Sequence, residues 1–240
     1  MPEKKYEFID ETIEVKGHTL HRIRALRDFG NVKKGKLGGF IEKEKNLSHE
    51  GNCWVYGWVV DKAEVCGETV VYDNAKVYGN AEVKDNARVY GLAQVFGKAK
   101  VTGDAQVFGN AKVFDGAKIT DNAWVNDCAE VYGKAKAYDK ARIGGEALVY
   151  GKAEVYGDAM VYGSTEVTGK AKVYEMSEVW ENAKVYASAR VYGRARVHGK
   201  ARICGKVKVC GSGEVFEDTK VGGRLEISAI TWRKTVYKER

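Results

Sequence analysis

The chain has 240 residues, 28 of them Gly and 1 Pro, with 44% hydrophobic and 30% charged residues. That length and balance suit one large or two small folded domains that bury a core unaided, and exclude collagen-like and Pro-rich disordered chains. The net charge of +7 permits an anionic partner without identifying one. No apolar run approaches the roughly 18 residues of a membrane-spanning helix, and the opening MPEKKYEFIDETIEV lacks the apolar core of a signal peptide. The expectation is a cytoplasmic protein with no membrane partner. The 5 Cys include no CxxC pair, which points to free thiols in a reducing compartment and to no metal site.

Residues 1–52 come first and stand apart. Alternation in YEFIDETIEVKGHTLHRIRAL predicts a β-hairpin across Lys16, Gly17 and His18. The stretch from Asp28 to Tyr56 then leads into a repeat. We read 1–52 as a β cap over the open edge of that repeat, because a solenoid needs its end strands covered.

The repeat occupies 53–228. Every sixth residue from Val59 to Ile227 is Val or Ile, with Ala137 as the exception. Four residues after each comes a small residue, usually Ala, as at Ala75, Ala81 and Ala87. Gly or Asp and a polar residue stand between, as in VYGNAEV and ITDNAWV. A period of six fits no amphipathic helix. It fits a short strand plus a turn, with Ala inward, the next residue outward, Val inward and an aromatic residue outward. Gly and Asp supply turn conformations, and strands of successive coils would stack about 4.8 Å apart. The tail, 229–240, loses the period and is expected to cap the other end.

These motifs resemble the hexapeptide-repeat family of acyltransferase-like proteins. The resemblance implies an all-β, single-stranded, left-handed parallel β-helix of about ten triangular coils of 18 residues. It also favours a homo-oligomer, a trimer in particular. One departure is that the slot after Val, usually Gly in that family, is mostly aromatic here. The segment carrying Phe29, Val32, Gly35, Gly38, Gly39, Phe40, Leu47, Ser48, Gly51 and Trp54 is similar to the N-terminal part of a bacterial and phage group of hexapeptide proteins described as transferases.

With 18 residues per coil, three faces can be read separately. The first stacks Trp58, Lys76, Gln94, Lys112 and so on to Lys184, Arg202 and Lys220. The second stacks Glu64, Glu82 and so on to Lys172, Arg190 and Lys208, beside Tyr138, Tyr156, Tyr174 and Tyr192. The third carries Val70, Arg88, Gln106, Trp124, Arg142, Met160, Glu178, Arg196 and Glu214. Beside that column run Trp54, Tyr72, Tyr90, Phe108, Tyr162, Trp180, His198 and Phe216. Stacked rings can simply strengthen the ladder. A flat apolar face can also be an interface. The third face has the fewest charges, so Tyr90, Phe108, Trp124, Met160, Tyr162 and Trp180 are its expected oligomer contacts.

Charge is concentrated in 181–208, where Lys184, Arg190, Arg194, Arg196, Lys200, Arg202, Lys206 and Lys208 oppose Glu181 alone. Arg196 is expected to be neutralised by Glu178 and Glu214. Lys172, Arg190 and Lys208 on the second face, and Lys184, Arg202 and Lys220 on the first, are expected to stack without neutralisation. Such columns are unfavourable unless an anion offsets them. Candidate anion-binding residues are Lys172, Arg190, Lys208, Lys184 and Arg202 together with Arg194 and Lys200, with Tyr174 and Tyr192 placed to stack a base. A solvated basic surface that keeps the rod soluble is the competing reading.

Catalytic motifs are absent: there is no phosphate-cradling GxxxxGK[ST] and no HExxH. His18, His21 and His49 fall in the cap segment. His198 is the candidate general base, because the resembled acyltransferases place a His at a subunit interface beside acyl-CoA. The expected function is therefore a non-catalytic oligomeric scaffold or binding protein without a cofactor. Its basic C-terminal coils would engage a nucleotide, nucleic acid or acidic protein, with a phage origin and action on a host factor conceivable by analogy. The alternative is an acyl-CoA-dependent acyltransferase using His198.

Overall fold

The computed structural model describes residues 3–15, 18–55, 64–66, 68–231 and 236–238. Each six-residue unit forms one two-residue strand and one corner. The strand pairs an outward residue with a buried Val or Ile, as in Lys112–Val113 and Arg142–Ile143. The Ala before each strand is buried as well, as at Ala111 and Ala141. Residues 18 apart lie side by side in parallel, with Lys112 opposite Glu130 and Val113 opposite Val131. Among the described residues three sheets of 13, 11 and 10 strands result, one per face of the rod. The backbone bonds from coil to coil: Lys112 N–H donates to the Ala129 carbonyl at 2.9 Å, and Phe114 N–H to the Val131 carbonyl at 3.0 Å. The ladder thus meets the hydrogen-bond demand of a chain with very short strands.

Each corner needs one residue at positive φ, two places after the buried Val. Gly supplies it at Gly79 (φ 69) and Gly145 (φ 64). Elsewhere an acidic residue takes the slot, as at Asp85 (φ 65), Asp127 (φ 55) and Glu175 (φ 59). An L residue there costs roughly 1–2 kcal/mol, and the carboxylate offsets it by capping the next coil. Asp127 accepts the Gly145 N–H at 2.9 Å, Asp85 that of Gly103 at 3.0 Å, and Glu175 that of Gly193 at 2.8 Å. Ala187 takes φ 61 with no acceptor on its side chain. Ala187→Gly should therefore stabilise the protein by about 1 kcal/mol. A denaturant melt with an unchanged or lower midpoint would remove this account of the corner.

The cap begins as the alternation predicts. β1 (Tyr6–Val15) and β2 (His18–Ala25) are antiparallel, with Val15 opposite His18. The turn residues Lys16 and Gly17 lie outside the described residues. β2 pairs antiparallel with β3 (Leu37–Ile41), which pairs in parallel with Glu64–Val65. The cap thus continues the second-face sheet and covers its first solenoid strand. Its core centres on Trp54, which is fully buried, with the rings of Phe29 at 5.3 Å and Tyr6 at 6.3 Å, both edge-on.

Trp54 corrects the sequence reading. It does not stand on the third face beside Tyr72. Trp54–Val55 pairs with Lys76–Val77 of the first face, so the leading coil spans 22 residues here, not 18. The longer coil carries the indole under the cap. Trp58 and Val59, where the regular period starts, lie outside the described residues. At the other end the offset shortens. Ile230–Thr231 joins the third face opposite Glu214–Val215, and Val236–Lys238 joins the first face opposite Val221, Gly222 and Gly223. The period is lost in the tail while the strand ladder continues.

Candidate anion-binding groove

Near the C-terminal end, two outward columns meet at the corner between the first and second faces. Ser188, Lys206 and Arg224 follow one another along the corner at 18-residue intervals. Arg190, Lys208 and Glu226 follow one another on the second face, paired strand to strand. With Leu225 they line a groove of about 520 Å³. Lys208 reaches Glu226 at 3.5 Å, while Arg190, Lys206 and Arg224 have no carboxylate within ion-pair distance among the described residues. Three cations therefore line one groove outside any ion pair among the described residues, beside the Lys208–Glu226 pair. Two further grooves lie at corners nearer the cap. One is lined by Gly79, Gly97, Gly133, Lys98 and Lys134 among others, and one by Asn52, Asn74, Asn110, Lys76 and Lys112 among others. Neither holds a comparable cluster of cations.

The expected bare columns are partly neutralised. Lys172 pairs with Glu154 at 2.6 Å, Lys184 pairs with Glu166, and Lys208 has Glu226. Each acid stands in the same column one coil away, a neighbour that counting only the basic stretch overlooks. The Lys172 ammonium, bonded to Glu154, holds that carboxyl below its usual range. Arg196 has Glu178 at 3.9 Å, whereas Glu214, the other expected partner, lies 3.2 Å from His198 Nε2. Of the predicted anion-site residues, the structure brings Arg190 and Lys208 into the groove. Lys184 and Arg202 stand on the first face, Arg194 at the corner between the second and third faces, and Lys200 at the corner between the third and first. Lys206 and Arg224 were not among the predicted anion-site residues, although their 18-residue spacing from Ser188 onward was readable.

The tyrosine column has no free ring face for a base at Tyr174. That ring is stacked on Tyr156 at 4.8 Å and on Tyr192 at 5.0 Å. Tyr192 interacts on its other side with the Cys210 thiol, whose hydrogen bond, with burial, pushes the phenol up to about 12. On the third face, Tyr72, Tyr90 and Phe108 stack as one run, at 4.8 and 4.9 Å. Tyr162, Trp180, His198 and Phe216 stack as another. Asn126 and Gly144 fill the column between the runs. Trp124 stands in the neighbouring column, edge-on to Phe108 at 6.2 Å and with the Arg142 guanidinium over its ring at 5.1 Å. Met160 is half-buried, and Tyr162 is exposed.

His198 lies in the second run, stacked on Trp180 at 4.3 Å. Its Nε2 is 3.2 Å from Glu214 and its Nδ1 is 3.9 Å from Glu181. A carboxylate can orient a general base, but this one stands on the third face, whereas the basic groove lies where the first and second faces meet.

All five cysteines are free. Among the described residues no helix is long and apolar enough to cross a membrane. Residues 189–205, the coil that carries Arg190 and His198, match a family model described as the YdcK Beta solenoid repeat. The chain is a parallel β-solenoid built of six-residue units. A stretch of 37 residues is 49% identical to a protein of Escherichia coli (strain K12) described as "Uncharacterized acetyltransferase YdcK". That stretch covers 15% of this chain and 11% of the relative, so the solenoid shares its repeat with YdcK over a small part of either length.

Proposed function

We propose that this β-solenoid is a binding protein that holds a phosphate-bearing small molecule in the C-terminal groove. The observation that carries this reading is the convergence of Arg190, Lys206 and Arg224, without acidic partners, on one concave site. Arginine offers a planar fork matched to phosphate oxygens, and lysine adds a mobile point charge. A groove of this size suits a small ligand, since such pockets commonly measure about 300–1,000 Å³. Calorimetric titration with ATP and with coenzyme A, each at low and high salt, tests it. Binding of one probe should weaken with salt and fall at least tenfold in Arg190→Glu combined with Arg224→Glu. Arg202→Glu, on the first face, should leave it unchanged. No binding of either probe, or an equal loss in Arg202→Glu, would overturn the reading.

The description of YdcK as an acetyltransferase favours a second reading, with His198 as the general base for acyl transfer from acyl-CoA. Within one chain, however, the base and the groove occupy different parts of the rod. Acetyl-CoA turnover that disappears in His198→Ala while the fold persists would support this reading. Turnover unaffected by His198→Ala would remove the role of that residue.

A further inference from the structure

Lys5 is fully buried, although it precedes the first strand. Its Nζ lies 3.2 Å from Cys53 Sγ, 3.1 Å from the Cys53 carbonyl and 3.2 Å from the Glu50 carbonyl, with the Phe29 ring 5.0 Å away. Cys53 is fully buried too, and its thiol faces the Ser48 carbonyl at 3.5 Å. An isolated buried lysine is costly. Two carbonyls alone would anchor the amine, yet here a thiol completes its surroundings at contact distance.

We propose that Lys5 and Cys53 form an oxidation-dependent covalent cross-link, a sulfenamide joining Nζ to Sγ, which staples the N-terminal strand to the start of the solenoid. The oxidant is a peroxide. In the first step the thiol sulfur is oxidised by two electrons: the thiol and hydrogen peroxide give the sulfenic acid and water. In the second the unprotonated Lys5 amine attacks that sulfur: the sulfenic acid and the primary amine give the sulfenamide, with its new S–N bond, and a second water. The leaving hydroxyl departs with one amine proton, and no further oxidant is consumed. Sulfenic acids are known to condense with nearby nitrogen in this way.

Burial sets the protonation states this chemistry needs. It lowers the pKa of Lys5 and raises that of Cys53, which enlarges the share of unprotonated amine and favours the neutral thiol. The same burial slows the first step, since thiolates oxidise fastest. It also excludes competing thiols, which leaves Lys5 as the neighbouring nucleophile. The product would tie residues 48 apart across the cap, whose strand β3 seals the first solenoid strand.

The full-length folded protein is treated with hydrogen peroxide, the remaining thiols are alkylated, and peptides are mapped by mass spectrometry. The expected product is one cross-linked species containing Lys5 and Cys53, about 2 Da lighter than the sum of the two peptides. Trypsin no longer cleaves after Lys5, dithiothreitol restores cleavage, and the thermal midpoint of the oxidised protein rises. The exposed Cys128 serves as the indicator that oxidant was effective. Cys53→Ser, which keeps an acceptor for Lys5, should abolish the cross-link. If that variant fails to fold, the wild-type map decides alone. Oxidised Cys128 with Cys53 unmodified, or with Cys53 heavier by about 16 or 32 Da and Lys5 still cleavable, would overturn the proposal. A cross-link about 14 Da heavier would place an oxygen between the two atoms and overturn the direct bond.

Discussion

Gly38→Ala should destabilise the protein by roughly 3 kcal/mol. Gly38 sits within β3, where no positive φ is required, so its glycine has a packing cause. A Cβ there would come within 2.5 Å of Ile23 Cγ1, 2.7 Å of Trp54 Cζ2 and 2.8 Å of the Val55 carbonyl. Ile23 and Trp54 are fully buried and cannot swing into solvent, and the carbonyl belongs to the strand that starts the first-face sheet. Relief must come from moving the indole or separating cap from solenoid. Because each coil contacts only its neighbours, the damage should stay at that end. A low-temperature transition detected by cap fluorescence, with the later coils melting near the wild-type midpoint, is the expected result. A variant that melts like the wild type would show that the cap packs more loosely than these distances allow.

The same region shows where sequence reasoning stops. A strict period of six is a statement about neighbours in one repeating environment, so it placed the Val, Ala and aromatic slots from Val65 to Ile227 correctly. Residues outside the repeat obey other constraints. Trp54 has the right type and the 18-residue spacing from Tyr72 for an aromatic ladder, yet four extra residues in the leading coil shift it to the first face, beneath the cap. The acidic corners were legible as turns. Their second task, capping the N–H one coil later, depends on the 18-residue stack and on left-handed backbone at Asp127 and its equivalents. The groove was half legible. Arg190 and Lys208 stood out as a basic column on a face, while Lys206 and Arg224 belong to a corner column, which an in-and-out strand pattern does not consider. The partners of Lys172, Lys184 and Lys208 show the same limit, because charge along the chain says little about charge across coils.

Val131→Ala should cost about 2 kcal/mol, whereas Ala137→Val should be neutral or stabilising, though both positions are the inward strand slot. Val131 is fully buried between Val113 and Val149 in the first-face stack. The coil-to-coil bonds on either side, Phe114 N–H to the Val131 carbonyl and Tyr132 N–H to the Val149 carbonyl, both measure 3.0 Å. They hold the backbone spacing, so neighbours cannot collapse into the space two missing methyl groups leave. Ala137 stands in the second-face stack between Ile119 and Val155. Ile119 is one methyl larger than the Val usual in this slot, and we expect that methyl to take up part of the volume that Ala137 leaves. Restoring Val at 137 should therefore gain most when Ile119→Val is made with it, and the double variant should exceed the sum of its single changes, as touching core residues couple. Urea melts of the wild type and these four variants settle the point. A harmless Val131→Ala would contradict the rigid spacing of the ladder, and strictly additive changes at 119 and 137 would show that the two side chains do not share one volume.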